Sequence, residues 1–204
     1  MQRHIPRRRI LLPLAAALVA AIAGTIAIAA TRHEEPRAFS RTATVRDTLP
    51  SRAVGFLHPG DSRRVATFTS AEGNARGVFV NRSHDGNQIC VWDTDLESGA
   101  QGGGCNPADD FFAGHAFTVS LGYDGGPALA TVRDARLVGV VTDAVATLEV
   151  IYADGSARRV PITADRGFAY NIPFVLLRKG IGPVAVIARS SAGTVIDRQV
   201  TGIG

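Results

Sequence analysis

Twenty-one consecutive residues without a charge, Ile10 to Ala30 (ILLPLAAALVAAIAGTIAIAA), divide this chain in two. A helix of that length spans about 31 Å, close to the thickness of a membrane's hydrocarbon layer. A helix of a soluble core would carry a polar face, and this segment has no such face. Arg3, Arg7, Arg8 and Arg9 precede it, and the first acid is Glu34. The positive-inside rule therefore predicts a cytoplasmic N-terminus with the remainder outside. The tail ahead of Ile10 has nine residues, too few to fold, so any function is expected on the outer side.

Two fates of the segment stay open. It is longer than the apolar part of most secretory signals, which favours a retained single-pass anchor through residues 10–30. Its alanine content, its interruptions at Pro13, Gly24 and Thr25, and the small residues of Ala27-Ile28-Ala29 favour cleavage and secretion. Arg7-Arg8-Arg9-Ile10-Leu11 also faintly resembles a twin-arginine signal. The expected organisation is a signal or anchor at 1–30, a polar linker at 31–50 and a β-rich domain at 51–204. That domain divides, on one reading, into 51–115 and 116–204.

The net charge of +4 invites a nucleic-acid partner, but position argues against it. Four of the 22 basic residues precede the apolar segment, leaving 18 against 18 acids. The outer part thus lacks the basic stripe that phosphate binding needs. The isolated pairs Arg63-Arg64 and Arg158-Arg159 read as solvated strand or turn positions.

From Ser51 onward, short β-branched runs alternate with Gly, Asn, Asp and Pro, the mark of an all-β domain. Strands are expected at 64–69, 77–81, 88–92, 117–121, 129–133, 136–141, 145–152, 157–162, 168–171, 184–189 and 194–200. Asp85-Gly86 and Asp154-Gly155 read as hairpin turns. Ala146, Leu148, Val150 and Tyr152 share one strand face, and Thr147 and Glu149 the other. One short helix is expected after the Gly-rich stretch 98–104. Asn106 would cap it, Pro107 would open it, Phe111 and Phe112 would face the core, and Gly114 would end it. Seven or eight short strands in about 85 residues point to an immunoglobulin-like β-sandwich in architecture, without that family's Cys–Trp–Cys spacing.

Leu137-Val138-Gly139-Val140-Val141, Asp143-Ala144-Val145, Tyr152-Ala153-Asp154-Gly155 and Val160-Pro161-Ile162 resemble the C-terminal region of uncharacterised exported proteins of high-GC actinobacteria. Cys90 and Cys105 around a Gly-rich loop are similar to theirs, as is a composition of 21 Arg to one Lys. The resemblance covers about the last two-thirds of the chain and implies no activity.

Cys90 and Cys105 are the only cysteines, 15 positions apart on the outer side, so a disulfide is expected. Asp93, Asp95 and Glu97 alternate as calcium ligands do, but the sixth and twelfth positions of the pattern hold Ser98 and Gly104. The stretch reads instead as a solvated acidic loop. His33, His58, His84 and His115 show no metal-ligand spacing. Ser83 or Ser120 with His84 or His115 and an aspartate would make a triad, but no G-x-S-x-G elbow supports one. His115 reads as a cap on the helix end, and His58-Pro59-Gly60 as a turn. No cofactor, metal or catalytic residue is assigned. The expected function is a binding or structural module at the cell envelope, with an envelope hydrolase using His84 or His115 as the alternative.

Overall fold

The computed structural model describes residues 34–50, 61–125 and 132–201. The expected leader, His33, His58 and the strand positions 129–131 lie outside the described residues. Among the described residues no helix is long and apolar enough to cross a membrane.

The described chain is mostly antiparallel β-sheet. Strands β1 (Arg63–Thr69), β2 (Ala75–Arg82), β3 (Gln88–Asp95) and β4 (Gln101–Pro107) form a four-stranded meander. Strands β5 (Phe117–Gly125), β6 (Val132–Val141) and β9 (Gly167–Asn171) form a second sheet in the order β5-β6-β9. Strands β7 (Thr147–Tyr152), β8 (Ala157–Val160), β10 (Pro183–Arg189) and β11 (Val195–Val200) form a third, in the order β11-β10-β7-β8.

The second sheet is the middle layer, and β6 shows why. Leu137 and Val141 enter a core shared with the third sheet, where Phe117, Phe168, Leu148, Val150 and Val186 meet them. Val138 and Val140 point the other way, onto Val65, Val78, Val80, Ile89 and Val91 of the first sheet. A strand covered on both faces needs a continuous apolar run rather than an alternating one, and 137–141 supplies it. Gly139 interrupts that run for a steric reason. A Cβ there would lie 2.0 Å from the Thr118 carbonyl oxygen and 2.7 Å from the Phe168 ring. Each large apolar side chain buried in these layers contributes about 1.5–3 kcal/mol.

Strand β7 alternates as its sequence predicts: Leu148, Val150 and Tyr152 are buried, while Thr147 and Glu149 are half-buried. Ala146, expected to share the inner face, precedes the strand and is exposed. Four other expectations are corrected. The runs at 129–133 and 136–141 are not separate strands, because Val132 to Val141 is one strand. The Gly-rich stretch contains a strand, β4, paired residue by residue with β3. Glycine is a poor strand former on its own, so neighbours impose this conformation. The expected helix is only a 3-10 turn, Ala108–Asp110, although Phe111 and Phe112 are buried as expected. Asn106 does not cap it; its side-chain amide donates to the Phe111 carbonyl at 3.0 Å. The one α-helix among the described residues, α1 (Phe174–Arg178), lies elsewhere, entered through Pro173 and followed by Gly180 at φ 71°.

The segment expected as a polar linker is also structured over residues 34–50. Two 3-10 turns, Arg37–Ser40 and Val45–Asp47, bury Ala38 and Asp47. Asp47 accepts both arms of the Arg41 guanidinium at 2.7 Å and the backbone N–H groups of Thr44 and Arg64 at 2.7 Å each. Arg41 also reaches Asp165 at 3.1 Å, tying the segment to the turn before β9. A polar composition concealed this order because its carboxylate and guanidinium are paired within the fold.

Candidate functional site

The alternation of strands explains where the charged residues go. Residues 76, 78 and 80 of β2, residues 134, 136, 138 and 140 of β6 and the odd-numbered residues of β3 face the interface between the first and middle sheets. At one end of that interface they are apolar. At the other end they are Arg76, Asp93, Asp95, Asp134 and Arg136, all buried. Arg76 Nε donates to Asp93 Oδ1 at 2.6 Å, and Arg136 Nε donates to Asp93 Oδ2. Arg136 Nη1 also donates to Asp134 at 2.7 Å and to Asp124 at 2.8 Å. Burial by itself would lower the Arg136 pKa, but Asp93 and Asp124 outweigh it and the guanidinium is held above its ordinary value. The acidic stretch at 93–97 is thus not a solvated loop. Asp93 and Asp95 are strand residues facing arginines, and only Glu97 is exposed. The seam joins two sheets and spends its charges internally.

The cysteines are joined as expected: Cys90 and Cys105 form a disulfide. They sit directly opposite one another on β3 and β4. Beside them, Phe79, Leu49, Trp92 and Leu96 make a small apolar cluster on the outer face of the first sheet. The bridge fastens β4, which forms one edge of that sheet. Residues 101–104, 106 and 107 are exposed, and Cys105 is partly so. Trp92 lies against Gly103, where a Cβ would come within 3.0 Å of the indole ring and 2.0 Å of the Val91 carbonyl oxygen. Among the described residues the result is an open, uncharged sheet edge with a floor of glycine and an aromatic backing.

The two described histidines lie in different settings. His84 is exposed in the turn between β2 and β3. The neighbouring Ser83 hydroxyl donates to Asp85 at 2.5 Å, which holds the Asp85 carboxyl below its ordinary pKa. His115 caps no helix; its Nδ1 lies 3.2 Å from Asp197 Oδ1 on β11. The same carboxylate accepts the Ala116 N–H at 2.8 Å. Ser120 pairs with Val138, whose side faces the first sheet, whereas Asp197 belongs to the third. Arg158 and Arg159 are exposed, as expected. Arg63 instead donates to the carbonyls of Arg41 at 3.1 Å and Ser62 at 2.8 Å.

A shallow notch of about 350 Å³ lies between the first 3-10 turn and the Thr142-Asp143 turn. Several of its charged groups are paired, Glu35 with Arg82 outside the notch at 2.6 Å. Asp143 meets Arg37 at 3.3 Å and Arg166 at 3.4 Å, and its N–H donates to Glu34 at 3.2 Å. Ser40 Oγ donates to the Arg37 carbonyl at 2.8 Å.

Sequence reasoning missed two features. The ionic seam had a signal: Asp134 and Arg136 fall in phase with Val138 and Val140, at inward positions of a strand. The edge strand had the Cys90–Cys105 spacing, which suits a short hairpin closed by a bridge. No protein-family model matches the chain, and neither a curated protein nor a solved structure matches it.

Proposed function

We propose that this chain is an extracytoplasmic binding module, delivered to the cell envelope by its N-terminal apolar segment and either anchored or released there. The apolar run with its leading arginines supports export. The Cys90–Cys105 bridge suits an oxidising compartment. We also read residues 117–200 as an immunoglobulin-like sandwich. Its strands alternate between sheets as β5-β6-β9 against β11-β10-β7-β8, with α1 between β9 and β10. Such sandwiches bind through edges, faces and loops, and fold alone does not say which.

The observation that carries a binding role is the open edge at β4. Solvent-exposed strand edges invite pairing with other chains, and proteins normally guard them with charges, proline or a covering element. Here residues 101–106 carry no charge, and the strand's one proline, Pro107, stands at its very end.

The reading is tested in cells that express the chain. Thiols are alkylated before lysis, and protease is added to intact spheroplasts. The reading expects Cys90 and Cys105 to resist alkylation and the part after Thr31 to be digested. Free thiols together with full protection from protease would remove it.

A further inference from the structure

The register of β4 identifies what its edge has left to offer. The Asp95 N–H donates to Ala100 at 2.8 Å, and the Ala108 N–H donates to Asn87 at 2.9 Å. Antiparallel ladders alternate, so odd-numbered residues of β3 bond even-numbered residues of β4. The backbone N–H and C=O groups of Gly103 and Cys105 therefore point away from β3, along the open edge. On the even positions, a Cβ added at Gly102 or Gly104 would meet nothing within 4 Å. An incoming strand thus finds both backbone partners and room for bulky side chains to lean over the glycines.

Charge decides between occupants. Exposed acids stand at both ends of the edge: Glu97 before it, Asp109 and Asp110 after it. A second copy related by a two-fold axis through Gly103 would pair the two β4 strands antiparallel. Such a copy brings the same acids, Glu97 and Asp110, to the ends of the pairing, and like charges brought together oppose association. A strand with basic ends meets the same acids favourably.

From this, and resting on the binding-module reading, we propose that β4 takes an extended segment of a partner protein as a fifth strand of the first sheet. The segment carries alternating bulky side chains and Lys or Arg at both ends. Backbone hydrogen bonds supply affinity in such strand addition, and alternate side chains supply selectivity.

The experiment uses the full-length chain and a synthetic peptide of alternating valine and threonine with lysine at each end. A glutamate-ended peptide is the control. Hydrogen exchange at Gly103 and Cys105 should slow by about tenfold or more at saturating lysine-ended peptide. Trp92, the only tryptophan, should report the same event by fluorescence. Gly104→Lys and Gly102→Lys place a charge in open space on the edge and should abolish the protection. Glu97→Lys with Asp110→Lys should transfer preference to the glutamate-ended peptide. Equal protection by both peptides, protection unchanged in Gly104→Lys and Gly102→Lys, or no protection at all would overturn the proposal. Concentration-dependent protection without peptide would also overturn it, by identifying a second copy as the occupant. Loss of export in the cell experiment would remove the module reading whatever the peptide does. Failure of the peptide with export intact would remove only the edge assignment.

Discussion

Arg136 of β6 donates to Asp93 of β3 across the boundary between the first and middle sheets, and neither residue is more than 3% exposed. Asp93 also holds Arg76, and Arg136 also holds Asp134, so the pair is the centre of a buried ionic seam. Such a seam contributes little net energy compared with a well-packed apolar replacement, because desolvation offsets the attraction. Its members nevertheless depend on one another.

Arg136→Met should therefore destabilise the domain by about 3–5 kcal/mol, because Asp134 and Asp93 stay buried without their shared cation. Urea denaturation followed through Trp92 measures it. A loss under about 1 kcal/mol would mean that water or neighbouring groups compensate the carboxylates in the variant.

Asp47 should make stability sensitive to acid. Burial alone would raise its pKa, but the Arg41 guanidinium and the N–H groups of Thr44 and Arg64 outweigh that and hold it below the ordinary 3.8. A depressed carboxyl contributes stability that is fully present above the unfolded value. That contribution is lost as pH falls below about 3.8 toward the folded value. Asp47→Asn should be less stable than the parent at neutral pH and should show a flatter decline below pH 4. Parallel stability curves for the two proteins across that window would exclude Asp47 as the source.

Removing the bridge with Cys90→Ala and Cys105→Ala should cost about 3 kcal/mol, the chain-entropy value for a loop of this size. Amide exchange should rise first in β4, whose glycines give it little propensity to stay extended. Uniform acceleration across all three sheets would show that the bridge stabilises the whole domain and not the edge.

Thr94→Val should stabilise. Thr94 is fully buried on β3, and its hydroxyl has no hydrogen-bond partner. Replacing it with a group of the same shape removes a desolvation cost of about 1–3 kcal/mol. A lower thermal midpoint for the variant would contradict this.

Much of the strand pattern was legible because it depends on near neighbours. Asp85-Gly86 and Asp154-Gly155 specify turns, and the alternation Leu148, Val150, Tyr152 specifies a buried face. The misreadings have a common cause. Gly102 to Gly104 look like a loop because glycine has no propensity for a strand, yet pairing with β3 and the bridge at Cys105 hold them in one. Asp93 and Asp95 look solvated because their partners, Arg76 and Arg136, are 17 and 43 positions away from Asp93 in sequence. Thr44 to Asp47 look like a tether because their order depends on Arg41 and on the backbone of Arg64.

What the sequence determined by itself was the β class, most strand positions and the cysteine pairing, each a matter of local propensity, period-two burial or simple elimination. What only the tertiary structure decided was that β6 is covered on both faces, that the charges in phase with its core residues meet partners on another sheet, and that β4 is an edge. Those facts depend on which distant strands come together. Side-chain alternation tells a strand which of its faces is apolar, but the partner for a buried charge, and the absence of a neighbouring strand along an edge, exist only once the sheets are stacked.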